Sequence, residues 1–325
     1  MASRKFGIGF LGAGDISILQ GRAVLANPDA RLVGIWNRTE HRAKQRAAEF
    51  HCKHYQTAEQ LVSDPEVDAV FVLTNLETHL RYAEMALKAG KHVLCEKPVA
   101  SCVSDVEQMK MIAEKSGTVC IPGHNMIHEE GIRRARDVIV QGGIGRIVST
   151  YVLYNMYHND DRAASYPGVV RQIFTHNLYT VIYLAGRPTR VAAFKASLNH
   201  SREPHKEDLA MALLEMKDNS IAHISANFAS DDLSGDPWTF LVKVIGTSGS
   251  THYSYQDWVQ AGKGIAHSRT YVAYQGSITN EVRHFIDICT RGGSPISGLD
   301  EAIVAQKTLE ALETSIEKGV VVPIV

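Results

Sequence analysis

Three places in the chain combine residue types and spacings that could do chemistry. In GFLGAGDIS, Gly12 and Gly14 begin a Gly-x-Gly-x-x-Ser turn. Gly12 permits the tight turn, Gly14 lets a pyrophosphate approach the backbone, and small Ser17 stands where a third Gly or Ala would allow close packing. Asp15 and Ile16 open the helix that follows. In VLCEKPVA an apolar run ends in Glu96, Lys97 and Pro98. A buried strand tip is a costly place for charges unless they are paired or employed; the bland reading is an exposed ion pair worth little. In VRQIFTHNLYTV, Gln172 and His176 stand four apart, on one face of a helix, with Tyr179 and Tyr183 continuing near it. A histidine there is either a satisfied packing residue or a proton carrier with a pKa of about 6.5. His124 and His128 have a spacing that would suit zinc on a helix, but no nearby carboxylate or thiol pattern completes a site, so local hydrogen bonding is preferred and no metal is expected.

These residues need elements to hold them. From Lys5 to about Ile121, short β-rich runs (FGIGFL, RLVGIW, DAVFVLT, KHVLC, TVCIP) alternate with segments of helical period such as LETHLRYAEMALKAG. That alternation predicts right-handed βαβ units and a doubly wound parallel sheet, with GKHVLCEKPVA at its fifth strand, on the carboxyl edge where ligands of such folds bind. After Gly123 one helical segment leads into alternating strands, RIVSTYVLY, TRVAAFKASL, DLAMALLEM, SIAHISANF and FLVKVIGT, two of them joined by the hairpin signal KDNS. Helical segments near 278 to 290 and 299 to 318 close the chain. The expected class is α/β: a Rossmann domain over residues 1–122 and an α/β domain with an open, largely antiparallel sheet over 123–325.

The chain has 325 residues, more than one core usually supports, and 45% hydrophobic content. Its 34 basic and 35 acidic residues nearly cancel, so it lacks the field that attracts nucleic acid or anionic membranes, and a small-molecule partner is expected. Five cysteines without paired spacing argue against a disulfide framework and for reduced thiols. The segment MASRKFGIGF lacks a long apolar core after its charges, and the chain reads as soluble, untargeted and cytoplasmic.

The second β run ends in WNR, at the interval expected after a dinucleotide-binding turn. There Asn37 and Arg38 replace the acid that would hold both ribose hydroxyls of NAD. An amide does not repel a 2′-phosphate, and Arg38, with Arg42, could grip one, so NADP is favoured over NAD. The alternative is that both arginines are solvated residues at a helix start.

The glycine turn, DAVFVLTNLETH, AGKHVLCEKP and a later IGRI before a strand together resemble the Gfo/Idh/MocA family, named for glucose–fructose oxidoreductase and inositol dehydrogenase. The likeness runs over nearly the whole chain, and Glu-Lys-Pro after GKHV is its most discriminating part. It implies a Rossmann domain joined to an α/β domain whose open sheet often mediates assembly, here a homodimer or homotetramer, and oxidation or reduction of a carbinol of a sugar, cyclitol or related compound. Lys97 would then hydrogen-bond the reacting hydroxyl and the nicotinamide ribose, with Glu96 on the cofactor side and Pro98 fixing the bend; an ammonium beside a developing alkoxide stabilises its charge or relays its proton. His176 matches the family's histidine, while Gln172 replaces its Asp: a geometry survives and a charge does not. Thr74, Asn75 and Leu76 stand where the family often has Thr-Pro-Asn, although His79 is retained, and PGHNMIH lacks the arginine that often follows its Gly-Phe-Asn. Thr74, Asn75, His79, Glu96 and Lys97 complete the expected cofactor edge.

In YNMYHNDDRAASY, Asn155, His158, Asp160 and Asp161 either bind polyol hydroxyls or form a solvated loop, with Asn155 and His158 the candidates, beside Gln172, for substrate. The expected activity is NAD(P)-dependent hydride transfer, with His176, assisted by Lys97, moving the hydroxyl proton. The same apparatus could instead cleave glycosides through transient oxidation with catalytic NAD, or survive in a sensor that binds cofactor without chemistry.

Overall fold

The computed structural model describes residues 4–158, 160–164, 166–198, 206–229, 239–254 and 270–325. In chain order the first elements are β1 (Phe6–Leu11), α1 (Ile16–Ala26), β2 (Ala30–Trp36), α2 (Glu40–Glu49), β3 (Lys53–His54), α3 (Ala58–Ser63), β4 (Ala69–Val72), α4 (His79–Lys88), β5 (His92–Cys95), α5 (Val103–Ser116) and β6 (Cys120–Pro122). Then come α6 (Glu130–Val140), β7 (Ile147–Asn155), α7 (Asp160–Ala164), α8 (Thr175–Ala185), β8 (Pro188–Ala196), β9 (Leu209–Met216), β10 (Ile221–Asn227), β11 (Thr239–Gly246), β12 (Ser250–Ser254), α9 (Thr270–Arg291), α10 (Leu299–Lys318) and β13 (Val322–Pro323). Two compact units form, Met1–His128 with Tyr274–Ile303, and Glu129–Ala273 with Val304–Val325.

In the first unit six parallel strands lie in the order β3-β2-β1-β4-β5-β6. The residues of β4 and nearly all of β1 are buried, as continuous apolar runs must be when helices cover both sheet faces. Strand order reverses between β1 and β4, so the carboxyl ends of these strands open the crevice at which such sheets bind ligands. β3, two residues long, is too short to show a period in the sequence. The division differs from a single cut at 122/123, because the stripe Ile278, Val282, Phe285 and Ile286 of α9 is buried and Phe285 meets Phe71 of β4 edge-on at 5.5 Å. Phe71 in turn stacks on Phe10 of β1 at 5.4 Å.

The second unit carries a seven-stranded sheet, β12-β11-β7-β10-β9-β8-β13. It is largely antiparallel, the exception being β7 against β10. The expected hairpin joins β9 to β10: Asn219 takes φ 66°, a left-handed position that asparagine tolerates, and Asp218 Oδ1 accepts from the Ser220 N–H at 3.0 Å and its hydroxyl at 2.6 Å. α8 packs on one face of this sheet. Asn177, fully buried, donates to Ser225 O at 2.9 Å and Val152 O at 3.4 Å, bridging the two parallel strands.

Candidate active site

At the end of β1, Gly12 has φ +119°, and a Cβ there would fall 2.4 Å from Leu73 O. Only glycine fits, because the turn presses on the chain leaving β4. A Cβ on Gly14 would meet nothing within 4 Å, so this backbone faces open space. Ser17 closes the turn, its Oγ donating to Gly14 O at 2.5 Å. Asp15, the N-cap of the 11-residue α1, makes no side-chain cap bond to the helix. The first-turn amides, at the positive end of the helix, are a fitting cradle for a diphosphate, with Gly14, Asp15 and Ile16 as its backbone donors.

Asn37, just past β2, clasps this turn: its Oδ1 accepts the Ala13 N–H at 3.1 Å and its Nδ2 donates to Thr39 O at 3.0 Å. Both ends of the amide therefore serve the backbone, while Arg38 and Arg42 are exposed. After β4, Thr74 and Asn75 are tied into a short turn by Thr78, whose hydroxyl lies 2.8 Å from Thr74 Oγ1 and from Asn75 O. His79 is 2% exposed, with Nδ1 2.9 Å from Pro98 O and Nε2 2.9 Å from Thr74 O. Burial lowers its pKa, against the pull of those carbonyls. It acts as a strut between the β4 and β5 ends, with neither ring nitrogen turned outward.

At the end of β5 the Glu96 N–H donates to Val72 O at 3.0 Å. The Glu96 carboxylate turns inward, Oε1 receiving Gln20 Nε2 of α1 at 3.4 Å and Oε2 the Lys97 backbone N–H at 3.1 Å. Glu96 and Lys97 keep partial contact with solvent although protein crowds around both. That crowding raises the Glu96 pKa, with Lys97 opposing, and pushes Lys97 down to about 8, with Glu96 opposing. An amine poised there is cationic at neutral pH yet gives up its proton readily. His124, following β6, is driven to about 3 by burial, then by His128 and Lys97. Its Nδ1 lies 2.8 Å from Ser297 Oγ, a partner far along the chain rather than the local one expected, and Asn125–His128 forms a 3₁₀ turn.

In the second unit His176 is 4% exposed near the start of α8. Its Nδ1 lies 2.6 Å from Tyr179 Oη, and the Tyr154 and Tyr179 rings approach it at 5.6 and 5.5 Å. Tyr179 Oη can accept from Nδ1–H, which leaves the basic lone pair on Nε2, or donate to Nδ1, which puts the ring proton on Nε2. Gln172 does not sit in regular α-helix: Val170–Phe174 is a π turn, which runs into α8 at Thr175. That turn is anchored by Arg171, which donates to Glu313 of α10 at 2.6 and 2.9 Å, and by Glu207 Oε1, which accepts the Val170 N–H at 3.2 Å. Asn155 ends β7, and by strand alternation it lies on the opposite face from Tyr154, whose ring meets His176. His158 is buried against Phe228 at 4.7 Å and Tyr166 at 5.4 Å, so the solvated-loop reading does not describe it. Asp161 is exposed, and the side chain of Asp160 lies outside the described residues.

The structure thus brings Gly12, Gly14, Asp15, Ile16, Asn37, Arg38, Thr74, Asn75, His79, Glu96 and Lys97 to the carboxyl edge of one parallel sheet, and sets His176 with Tyr179 and Tyr154 in the other unit. Gln20 and Glu281 were not singled out from the sequence. Their signal is a polar residue on an otherwise buried helical stripe.

The model of the oxidoreductase family with an NAD-binding Rossmann fold (Gfo/Idh/MocA) matches residues 6–124, and that of the Gfo/Idh/MocA C-terminal domain residues 132–252. Among curated proteins, the chain is 32% identical to 1,5-anhydro-D-fructose reductase of Ensifer adhaerens over 186 residues, 55% of this chain and 56% of that protein. It is 28% identical to 2,7-anhydro-N-acetylneuraminate hydratase of Escherichia coli K12 over 221 residues, 65% of this chain and 58% of that one. The chain therefore spans little more than half the length of these relatives. Myo-inositol 2-dehydrogenase of Lactobacillus plantarum shares the fold, with a TM-score of 0.87 at 18% identity over 99% of this chain and all of the other.

Proposed function

The chain belongs to the Gfo/Idh/MocA oxidoreductase family, and on that premise we propose that it is an NAD(P)-dependent dehydrogenase or reductase acting on a hydroxyl-bearing carbon of a sugar, sugar acid or cyclitol. The observation that carries this reading is Lys97, an amine with its pKa brought down to about 8, standing on the same sheet edge as the glycine turn. The nicotinamide cofactor supplies a hydride acceptor or donor when bound. The chain's own residues do the rest. The Gly14–Ile16 backbone and the α1 terminus hold the diphosphate. Lys97 steadies negative charge developing on the substrate oxygen, which is worth most where water is excluded. His176, hydrogen-bonded to Tyr179, takes or returns the hydroxyl proton. The names of the curated relatives, a reductase and a hydratase acting on anhydrosugars, support a carbohydrate substrate. The hydratase also keeps open a reaction in which the cofactor is regenerated each cycle. A spectrophotometric screen of sugars, anhydrosugars and cyclitols with both cofactors, following reduced nicotinamide, tests the proposal. Substrate conversion without net change in cofactor would replace dehydrogenation by the second reading; nucleotide binding with no conversion at all would leave a sensor.

NADP is proposed to bind more tightly than NAD, since Arg38 and Arg42 are exposed beside Asn37. Asn37→Asp keeps one oxygen for the Ala13 N–H and places a negative charge beside a 2′-phosphate. At a few ångströms that charge costs on the order of 1 kcal/mol or more, so NADP affinity is expected to fall about tenfold and the preference to reverse. Dissociation constants of both cofactors for both proteins check this, and an NAD preference in the unmodified chain refutes it.

On one face of the sheet of the second unit, among the described residues, Phe194, Met211 and Leu213 are 77%, 46% and 53% exposed. Phe194 pairs with Met211 across β8 and β9. An apolar face of this kind is proposed to seat a second copy of the chain, giving a homodimer or homotetramer. Sedimentation at micromolar concentration is expected to show the assembly, and Met211→Glu with Leu213→Glu to dissolve it into monomers; a monomeric unmodified protein refutes it. All five cysteines are free thiols, which supports a cytoplasmic location.

A further inference from the structure

Glu281 lies on the buried stripe of α9, 1% exposed, and neither of its carboxyl oxygens makes a hydrogen bond. Gln20 of α1 comes near enough to favour the charged form, but no bond between the two meets the distance and angle of a hydrogen bond. Gln20 Oε1 is likewise buried without a bond, although its Nε2 donates to Glu96 Oε1. An ionised carboxylate with no donor is the costliest occupant of such a place. An amide oxygen with no donor repeats the fault beside it. One proton removes both: a carboxylic acid has an O–H to give, and Gln20 Oε1 has a lone pair to receive it.

We propose that Glu281 is held as the neutral acid and is a positioning residue, donating its O–H to Gln20 Oε1 so that the Gln20 amide is directed at Glu96. The chain of contacts then runs from α9 through α1 to the end of β5, where the other Glu96 oxygen accepts the Lys97 N–H. Glu281 touches no reacting atom; it sets the carboxylate that sits beside the amine. The ionisable groups bearing on this chain are few. Glu96 acts on Glu281, Lys97 on Glu96, Glu96 on Lys97, and Lys97 and His128 on His124. Burial, first, and then the Glu96 charge push the Glu281 carboxyl well above the usual range, with Gln20 opposing.

The test uses the full chain and needs no substrate. The folded pKa of Glu281 is raised above the unfolded value of about 4.3, so between them the folded state holds a proton that the unfolded state has released. Stability from this group is full below about pH 4.3 and is lost as pH rises, about tenfold in the folding constant per pH unit. Glu281→Gln keeps the shape and a donor but cannot ionise. Urea unfolding from pH 4 to 8 is therefore expected to show the variant level with the unmodified protein near pH 4 and gaining about tenfold per unit above it. Parallel curves, or a variant weaker at every pH, overturn the protonation state. The second measurement is the titration of Lys97 by NMR of protein carrying ¹³C-lysine, with the signal assigned by Lys97→Arg. Glu281→Gln is expected to leave it near 8. Glu281→Leu, which cannot donate, releases Gln20, weakens the support of the Glu96 anion and lowers the Lys97 midpoint. Identical Lys97 midpoints in the two variants overturn the positioning role, and if the leucine variant does not fold, the glutamine variant still decides the first question. The relevance of this chain to catalysis rests on the reading of Lys97 given above. Should no substrate be turned over, that reading fails while these two measurements stand.

Discussion

Lys97→Ala is expected to lower kcat/KM by about a hundredfold or more while leaving nucleotide binding at the glycine turn in place. Removing a cation from beside a forming alkoxide costs a few kcal/mol of transition-state stabilisation, and a loss confined to the transition state appears mainly in kcat. The proposed diphosphate cradle is built from the backbone of Gly12 to Ser17 and the start of α1. The pH profile adds a second mark. With its pKa at about 8, Lys97 loses its proton as pH rises through that value, so activity that needs the cation falls on the alkaline side. Lys97→Arg, which cannot deprotonate in this range, is expected to abolish that limb whatever it does to the rate. Steady-state kinetics from pH 6 to 10 and cofactor titration of each variant check both statements. Full turnover by Lys97→Ala with unchanged cofactor binding would show the charges at the end of β5 to be structural.

His176→Ala is expected to cost a factor of roughly 10² to 10⁴ in kcat, the range for loss of general acid–base help. His176 is buried against Tyr154 and Tyr179, so truncation also opens a cavity that costs a few kcal/mol of stability. His176→Gln fills most of that space without a basic nitrogen, and it separates the two effects: it should stay folded and remain as slow as the alanine variant. Tyr179→Phe keeps the ring and removes the bond to Nδ1, so a smaller loss of kcat is expected. Thermal melts alongside the kinetics check the assignment, and a His176→Gln enzyme with near-normal kcat would remove the histidine from the chemistry.

Part of the site was legible because the signals are local. Gly12 is dictated by a backbone at positive φ pressed against Leu73, and the strand, turn and helix around it lie within one stretch of chain. Lys97 was legible because charges at the end of an apolar run are out of place unless employed. The π turn at Val170–Phe174, in which Gln172 lies, was not legible, because counting residues presumes 3.6 per turn. Asn155 and His158 drew attention as polar residues in a polar stretch, but strand alternation and an aromatic cluster decide where they point.

By itself the sequence determined what short-range sterics and periodicity can determine: the parallel βαβ half, the largely antiparallel half, the hairpin at Asp218 and Asn219, the glycine cradle and the presence of Glu96 and Lys97 at a strand end. Tertiary structure alone decided that Tyr154 and Tyr179 surround His176, that Asn37 spends its amide on the glycine turn, and that α9 returns from the far end of the chain to bury Glu281 by Gln20 and Glu96. The reason is physical. A propensity or a repeat is a property of neighbours along the chain, whereas the desolvation that shifts a carboxyl or an amine depends on which distant surfaces close over it.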